Sequence, residues 1–407
     1  MPVNRNSKFP SFTLFSQPQW SCAAILAGSL FCSGMGLAMA ADTQAAKSQS
    51  IEGASSGWSS PVHSEIDAET GDTRFKLRVQ NHERSFLVHM PPHAANTDDT
   101  AQLPVVFAFH GYRMNDLSMR KLTQLNDLAD SQQFIAVYPV GREEQWNAKA
   151  VPNNLTEDVD FVKAMLQIMR DNYAVDSNRL YVMGLSNGGF FAHRLACEMP
   201  GQFAAFASVA GTLGRPMSQQ CEAAPVTPIL LIHGTKDPIV TWEGEVHRIP
   251  FFKTSRILSV QETAQFWAKK NGCDLKPQLT WLPGSDRGMS ADLLQYGHCR
   301  NSLSGLQHPA HAADKATPLP LPKENSAAQN EKKQLPKLKN AGLTQNVALI
   351  QINGSGHTWP GAKEGNVFKR LLERLALGRT YGKLDATSVI WNFFKPYQRQ
   401  NPPEAPR

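Results

Sequence analysis

The sequence predicts an α/β fold, with a mostly parallel central sheet and helices on both faces, from three observations. Apolar runs suited to strands buried on both faces recur at residues 104–109, 134–138, 180–183, 228–232 and 347–352. Segments with apolar residues at helical spacing lie between them, most clearly over 156–171, where Val159, Val162, Leu166 and Met169 share one face. The order strand, helix, strand is the one a parallel sheet requires, because each crossover must carry the chain back to the same edge. With 407 residues, 41% hydrophobic and 19% charged, the chain can bury a full core.

Taken in order, residues 1–40 read as a secretory signal peptide. Arg5 and Lys8 precede the apolar run 22–31, and Ala38-Met39-Ala40 supplies a small-residue cleavage site. Gly and Ser interrupt that run, so it is short for a membrane span, and no stable anchor is expected after cleavage. Residues 41–70 form an Ala, Ser, Gln and Gly-rich lead-in without apolar periodicity. A single domain is expected over 71–398. It opens with alternating strands at 75–79 and 85–89 around a polar turn at 80–84, a hairpin pattern. In the helix over 156–171, Glu157, Asp158 and Asp160 place negative charge on the positive end of the dipole. A buried strand follows within 203–210. The helix over 259–270 opens with Ser259 and Glu262 at capping-box spacing. Residues 302–341 are rich in Pro, Ala, Gln, Lys and Glu and cannot bury enough apolar surface to offset chain entropy, so a disordered insertion is expected there. Asp385 caps a final helix with Val389, Ile390, Phe393 and Phe394 on its apolar face, and 399–407 is a disordered tail.

The net charge of +6 is mild, and many lysines fall in the insertion, so no nucleic-acid partner is indicated. Removal of the signal peptide leaves four cysteines, Cys197, Cys221, Cys273 and Cys299, an even set in a chain bound for an oxidising compartment outside the cytoplasm, periplasmic or extracellular. Four cysteines allow three pairings; two local bridges would each close a loop of roughly 25 residues and contribute about 3 kcal/mol in the chain-entropy model.

Chemistry is written most plainly in Gly184-Leu185-Ser186-Asn187-Gly188, a G-x-S-x-G run between an apolar strand and a helix-like segment. Such a run is a nucleophile elbow, a sharp turn that holds a serine hydroxyl proud of a sheet. A serine needs a general base and a group to orient that base. Asp237, in a loop at the end of the 228–232 strand, and His357, in the glycine-rich loop after the last strand, follow Ser186 in the order serine, acid, histidine. Oxyanion donors are expected from the main-chain amides of Asn187, next to the serine, and Tyr112, in Phe109-His110-Gly111-Tyr112. His110 is expected to shape its turn. Trp146 and Trp359 lie in loops that could rise beside the serine, and they are taken as candidate substrate-binding rings. No spacing suggests a metal site and no glycine loop suggests a phosphate cofactor, so none is expected.

The motifs Arg179–Gly189, His233-Gly234-Thr235-Lys236-Asp237-Pro238 and Gly356-His357-Thr358-Trp359-Pro360-Gly361 together resemble the secreted poly(3-hydroxybutyrate) depolymerase-like esterases, a group that includes feruloyl and acetylxylan esterases. The resemblance covers roughly residues 75–396 apart from the insertion. It implies an α/β-hydrolase fold, a serine esterase with a triad at Ser186, Asp237 and His357, and an ester substrate, either a hydroxyalkanoate polymer or oligomer or a feruloyl or acetyl ester of plant polysaccharide. It also implies the bridges Cys197 to Cys221 and Cys273 to Cys299. Two departures stand out: Tyr112 occupies a place where many depolymerases carry cysteine, and the 302–341 insertion is unusual. No separate polymer-binding segment is evident, which argues against attack on solid polyester. A non-catalytic surface-binding protein on the same scaffold would require loss of a triad member, and none is lost.

Overall fold

Residues that alternate in burial partner along a strand decide which helices can cover it, and that principle organises the sheet. The computed structural model describes residues 49–51, 62–92, 102–148, 158–222, 226–244, 257–299, 338–362 and 375–399, all within the unit Ala46–Arg407. The expected signal peptide, residues 302–337 of the expected insertion and the tail beyond Arg399 lie outside the described residues.

Among the described residues, twelve strands form one sheet. They are β1 Gln49–Ile51, β2 Val62–Ile66, β3 Thr73–Val79, β4 His82–His89, β5 Leu103–Phe109, β6 Ile135–Pro139, β7 Val175–Leu185, β8 Ala205–Val209, β9 Ile229–Gly234, β10 Gln278–Asp286, β11 Met289–Tyr296 and β12 Val347–Asn353. Their spatial order is β1-β2-β3-β4-β6-β5-β7-β8-β9-β12-β11-β10. The central run from β6 to β12 is parallel throughout, and antiparallel strands extend it on both sides. The parallel centre is what the continuous apolar runs predict.

Both faces are covered. Val105, Phe107 and Phe109 of β5 point into a core shared with α3 (Asp158–Asn172), α4 (Asn187–Glu198) and α6 (Val260–Lys270). Val106 and Ala108 point the other way, into a core shared with α1 (Asp116–Thr123), α2 (Leu125–Gln132) and α7 (Ala386–Phe394). A short α5 (Arg215–Gln220) follows β8. α6 carries the expected capping box, with Ser259 Oγ accepting from Glu262 N (3.1 Å) and Glu262 Oε2 accepting from Ser259 N (2.8 Å). Asp385 caps α7 by accepting from Ser388 N at 3.2 Å.

Several elements differ from expectation. The β3–β4 turn is only Gln80-Asn81, both at positive φ, so pairing runs on from Val79 to His82. β2 lies within the expected lead-in of 41–70 and pairs with β3. The last residues of the expected insertion are also placed: Leu338 exchanges hydrogen bonds with Lys383 O (2.7 Å) and Asp385 N (2.9 Å), and Ala341 is buried. Both local disulfides, Cys197–Cys221 and Cys273–Cys299, are present. No helix among the described residues is long and apolar enough to cross a membrane.

Candidate active site

Ser186 joins β7 to α4 with φ 53° and ψ −115°, a conformation that side chains rarely adopt. The elbow is tight enough that the glycines on either side are obligatory. A Cβ at Gly184 would strike the Gly188 carbonyl, and one at Gly188 would strike the carbonyls of Phe109 and His110. Ser186 N donates to Val209 O at 2.8 Å, which ties the elbow to the end of β8.

Asp237 follows β9, and its carboxylate is fully engaged. Oδ1 accepts from the amides of Ile239 (2.8 Å) and Val240 (2.9 Å), and Oδ2 accepts from His357 Nδ1 at 2.7 Å. Burial opposes ionisation of Asp237, yet the hydrogen bonds from His233 and His357 outweigh it and hold the carboxyl well below the usual carboxylate range. A carboxylate only accepts, so Nδ1 of His357 carries the hydrogen of this bond and Nε2 is the nitrogen left facing away from Asp237. The loop bearing His357 is fixed from two sides: Lys236 N donates to Ser355 O (2.9 Å) and His357 N to Leu377 O (2.6 Å).

Ser186, Asp237 and His357 thus stand at the same edge of the parallel sheet, after β7, β9 and β12, where open α/β sheets present their reactive groups. The Asp237–His357 pair is joined directly; among the described residues no hydrogen bond joins Ser186 to His357. Ser186 and His357 each retain 8% exposure.

Of the two expected oxyanion residues, Asn187 follows the serine directly and Tyr112 follows Gly111, which lies against it. Asn187 is the first residue of α4, so its N–H has no place in the intrahelical ladder. A Cβ built on Gly111 would sit 3.6 Å from Ser186 Cβ, which puts the loop carrying Tyr112 against the elbow. His110 shapes that loop: Gly141 N donates to its Nε2 (2.9 Å), so Nδ1–H donates to Gly111 O (2.8 Å). Burial pushes His110 down to about 4, which keeps the ring neutral.

The rings of Trp146 and Trp359, the candidate substrate-binding residues, are 1% and 2% exposed, and Trp359 borders a cavity with Thr123, Pro360, Gly361 and Thr387. Trp146 stacks on Phe191 with centroids 5.2 Å apart and meets Phe109 edge-on at 5.0 Å. Trp359 packs against the α7 side of the sheet and donates to Thr387 Oγ1 at 3.1 Å. Sequence reasoning also missed His233, whose Nε2 donates to Val240 O (2.9 Å) and lies 3.4 Å from Asp237 Oδ2. Its position four residues before Asp237, in the same motif, was the available signal.

The Esterase family model, described as "Putative esterase", matches residues 78–281, just over half of the chain. "Putative esterase NocK" of Nocardia uniformis subsp. tsuyamanensis is 26% identical over 311 residues, covering 74% of this chain and 78% of that protein. The bifunctional acetylxylan esterase/xylanase XynS20E of Neocallimastix patriciarum is 28% identical over 41% of this chain, and feruloyl esterase B of Piromyces equi is 26% identical over 40%. The matches span only 23% and 29% of those two proteins.

Proposed function

The chain belongs to the Esterase family, and from that premise we propose that it is a serine carboxylic-ester hydrolase working through an acyl-enzyme on Ser186. The observation that carries this reading is the 2.7 Å Asp237–His357 pair at the same sheet edge as the elbow serine. In the proposed cycle Ser186 Oγ attacks the ester carbonyl carbon while His357 Nε2 takes its proton, and Asp237 stabilises the imidazolium. The amides of Asn187 and Tyr112 hold the negative oxygen. Collapse expels the alcohol, which leaves with the proton from His357. Water then repeats the sequence, releases the acid and restores Ser186.

Two substrate classes fit this chemistry. The motifs around Ser186 and His357 resemble polyhydroxybutyrate depolymerase-like enzymes, which makes a hydroxyalkanoate ester one reading. The names of the acetylxylan and feruloyl esterase relatives favour the other, an ester on plant polysaccharide. Parallel assays on hydroxybutyrate oligomers and methyl ferulate separate them. The two disulfides, with the leader motif, support an oxidising destination outside the cytoplasm. Ser186→Ala is expected to abolish p-nitrophenyl butyrate turnover and labelling by a fluorophosphonate; retained turnover in that variant would remove Ser186 from the assignment.

A further inference from the structure

Trp146, wholly buried, is tied by polar groups to both sides of the elbow. Its indole Nε1 donates to the His110 carbonyl at 3.0 Å, two residues before Tyr112. Its main chain is gripped by Asn187: Trp146 N donates to Asn187 Oδ1 (2.6 Å), and Asn187 Nδ2 donates to Trp146 O (3.0 Å). One residue thus holds the two chain segments that carry the proposed oxyanion amides.

The anchor behind it is built from charge. Asn147 N donates to Asp158 Oδ2 at 2.7 Å, and Asn147 O accepts from Arg194 Nη1 at 2.5 Å. Asp158 in turn pairs with Arg84 at 2.7 Å, with both side chains at 2% exposure or less, and the Arg84 guanidinium lies 4.1 Å from the Phe161 ring centre. A buried ion pair of this kind is weak as a source of stability, because desolvation cancels much of the attraction, but it specifies one geometry.

We infer that Trp146 is a positioning residue, a strut that fixes the separation of the Asn187 and Tyr112 amides around the developing oxyanion. This rests on the proposed esterase activity. Oxyanion donors act only when they are preorganised toward the position the charged oxygen will occupy, and a displacement of the order of 1 Å can cost a hundredfold in rate. The Asn187 side chain is therefore assigned a task separate from its main chain: it locks the N–H in place by holding Trp146.

Two variants test the strut on the intact protein. Asn187→Ala removes both side-chain bonds and keeps the amide; Trp146→Phe keeps the ring packing and deletes the indole donor. Each is expected to lower kcat for p-nitrophenyl butyrate by about 10–100-fold with KM nearly unchanged. Affinity for a phenylboronic acid, whose adduct on the serine mimics the tetrahedral oxyanion, should fall by the same factor as kcat. A purely structural role would not move boronate affinity and kcat together at constant KM. If either variant folds with unaltered kcat, or loses kcat without losing boronate affinity, the strut is overturned. A wild-type protein that neither turns over esters nor labels with fluorophosphonate overturns the esterase reading and the strut with it; an active wild type with unaltered variants overturns the strut alone.

Discussion

Ser186 sits at φ 53° because the elbow allows no other path between β7 and α4, and for a residue with a side chain that conformation costs on the order of 1–3 kcal/mol. Ser186→Gly relieves the strain at the expense of the hydroxyl. It is expected to be inactive and about 1 kcal/mol more stable than Ser186→Ala, which keeps the strain, with both compared by urea denaturation. Equal stability of the two would show that the backbone is unstrained. At this scale placement was legible where chemistry demands residue types in a fixed order: the sequence order of Ser186, Asp237 and His357 anticipates their positions after β7, β9 and β12 at one sheet edge. The depth of Trp146 and Trp359 in the fold was not legible. A tryptophan in a loop carries no mark of whether its loop folds inward, and both residues are held inside by partners distant in sequence: His110 O accepts from the Trp146 ring and Asn187 grips its main chain, while Thr387 Oγ1 accepts from the Trp359 ring.

Among elements, the β3–β4 hairpin is fastened to α1 and α2 by one polar cluster. The His89 ring bridges Asp72 (2.7 Å) and Asp130 (2.8 Å), and Asp72 also accepts from Arg120 (3.1 Å) and Asn126 (3.2 Å). Burial works against protonation of His89, but the bonds to the two carboxylates prevail and raise it above the ordinary imidazole value. A group raised on folding stabilises fully below its unfolded value and loses that contribution as pH rises through its folded value. His89→Gln should accordingly lower the melting temperature more at pH 5.5 than at pH 9. An equal loss at both would show that the ring acts only by packing. The elements themselves were readable in proportion to their burial contrast. Central strands buried on both faces stood out as apolar runs, whereas β10, exposed along most of its length with Leu279 at 51% and Trp281 at 71%, presents no alternation to detect. The pair α1–α2 escaped for another reason: Gln124, in the left-handed region, breaks the segment into two helices of eight residues, too short for a sustained period.

Across the whole molecule the two disulfides act as local staples, with sequence separations of 24 and 26. Each is expected to contribute about 3 kcal/mol, so reduction should lower the melting temperature by on the order of 5–10 °C per bridge while unreduced protein keeps its full stability. No change on complete reduction would mean that the reduced chain is not destabilised by loss of the bridges. A second consequence lies in the strand order. Among the described residues β12 is the last strand in sequence, yet it occupies a slot between β9 and β11, and the loop that follows it carries His357. During synthesis the serine and the acid emerge long before the base, and the parallel neighbour that places the base beside the acid cannot form until β12 arrives. A nascent chain, or one cut short before residue 357, therefore carries a serine with no partner to activate it. On the esterase reading, the hydrolytic function begins only when the sheet has closed around that strand.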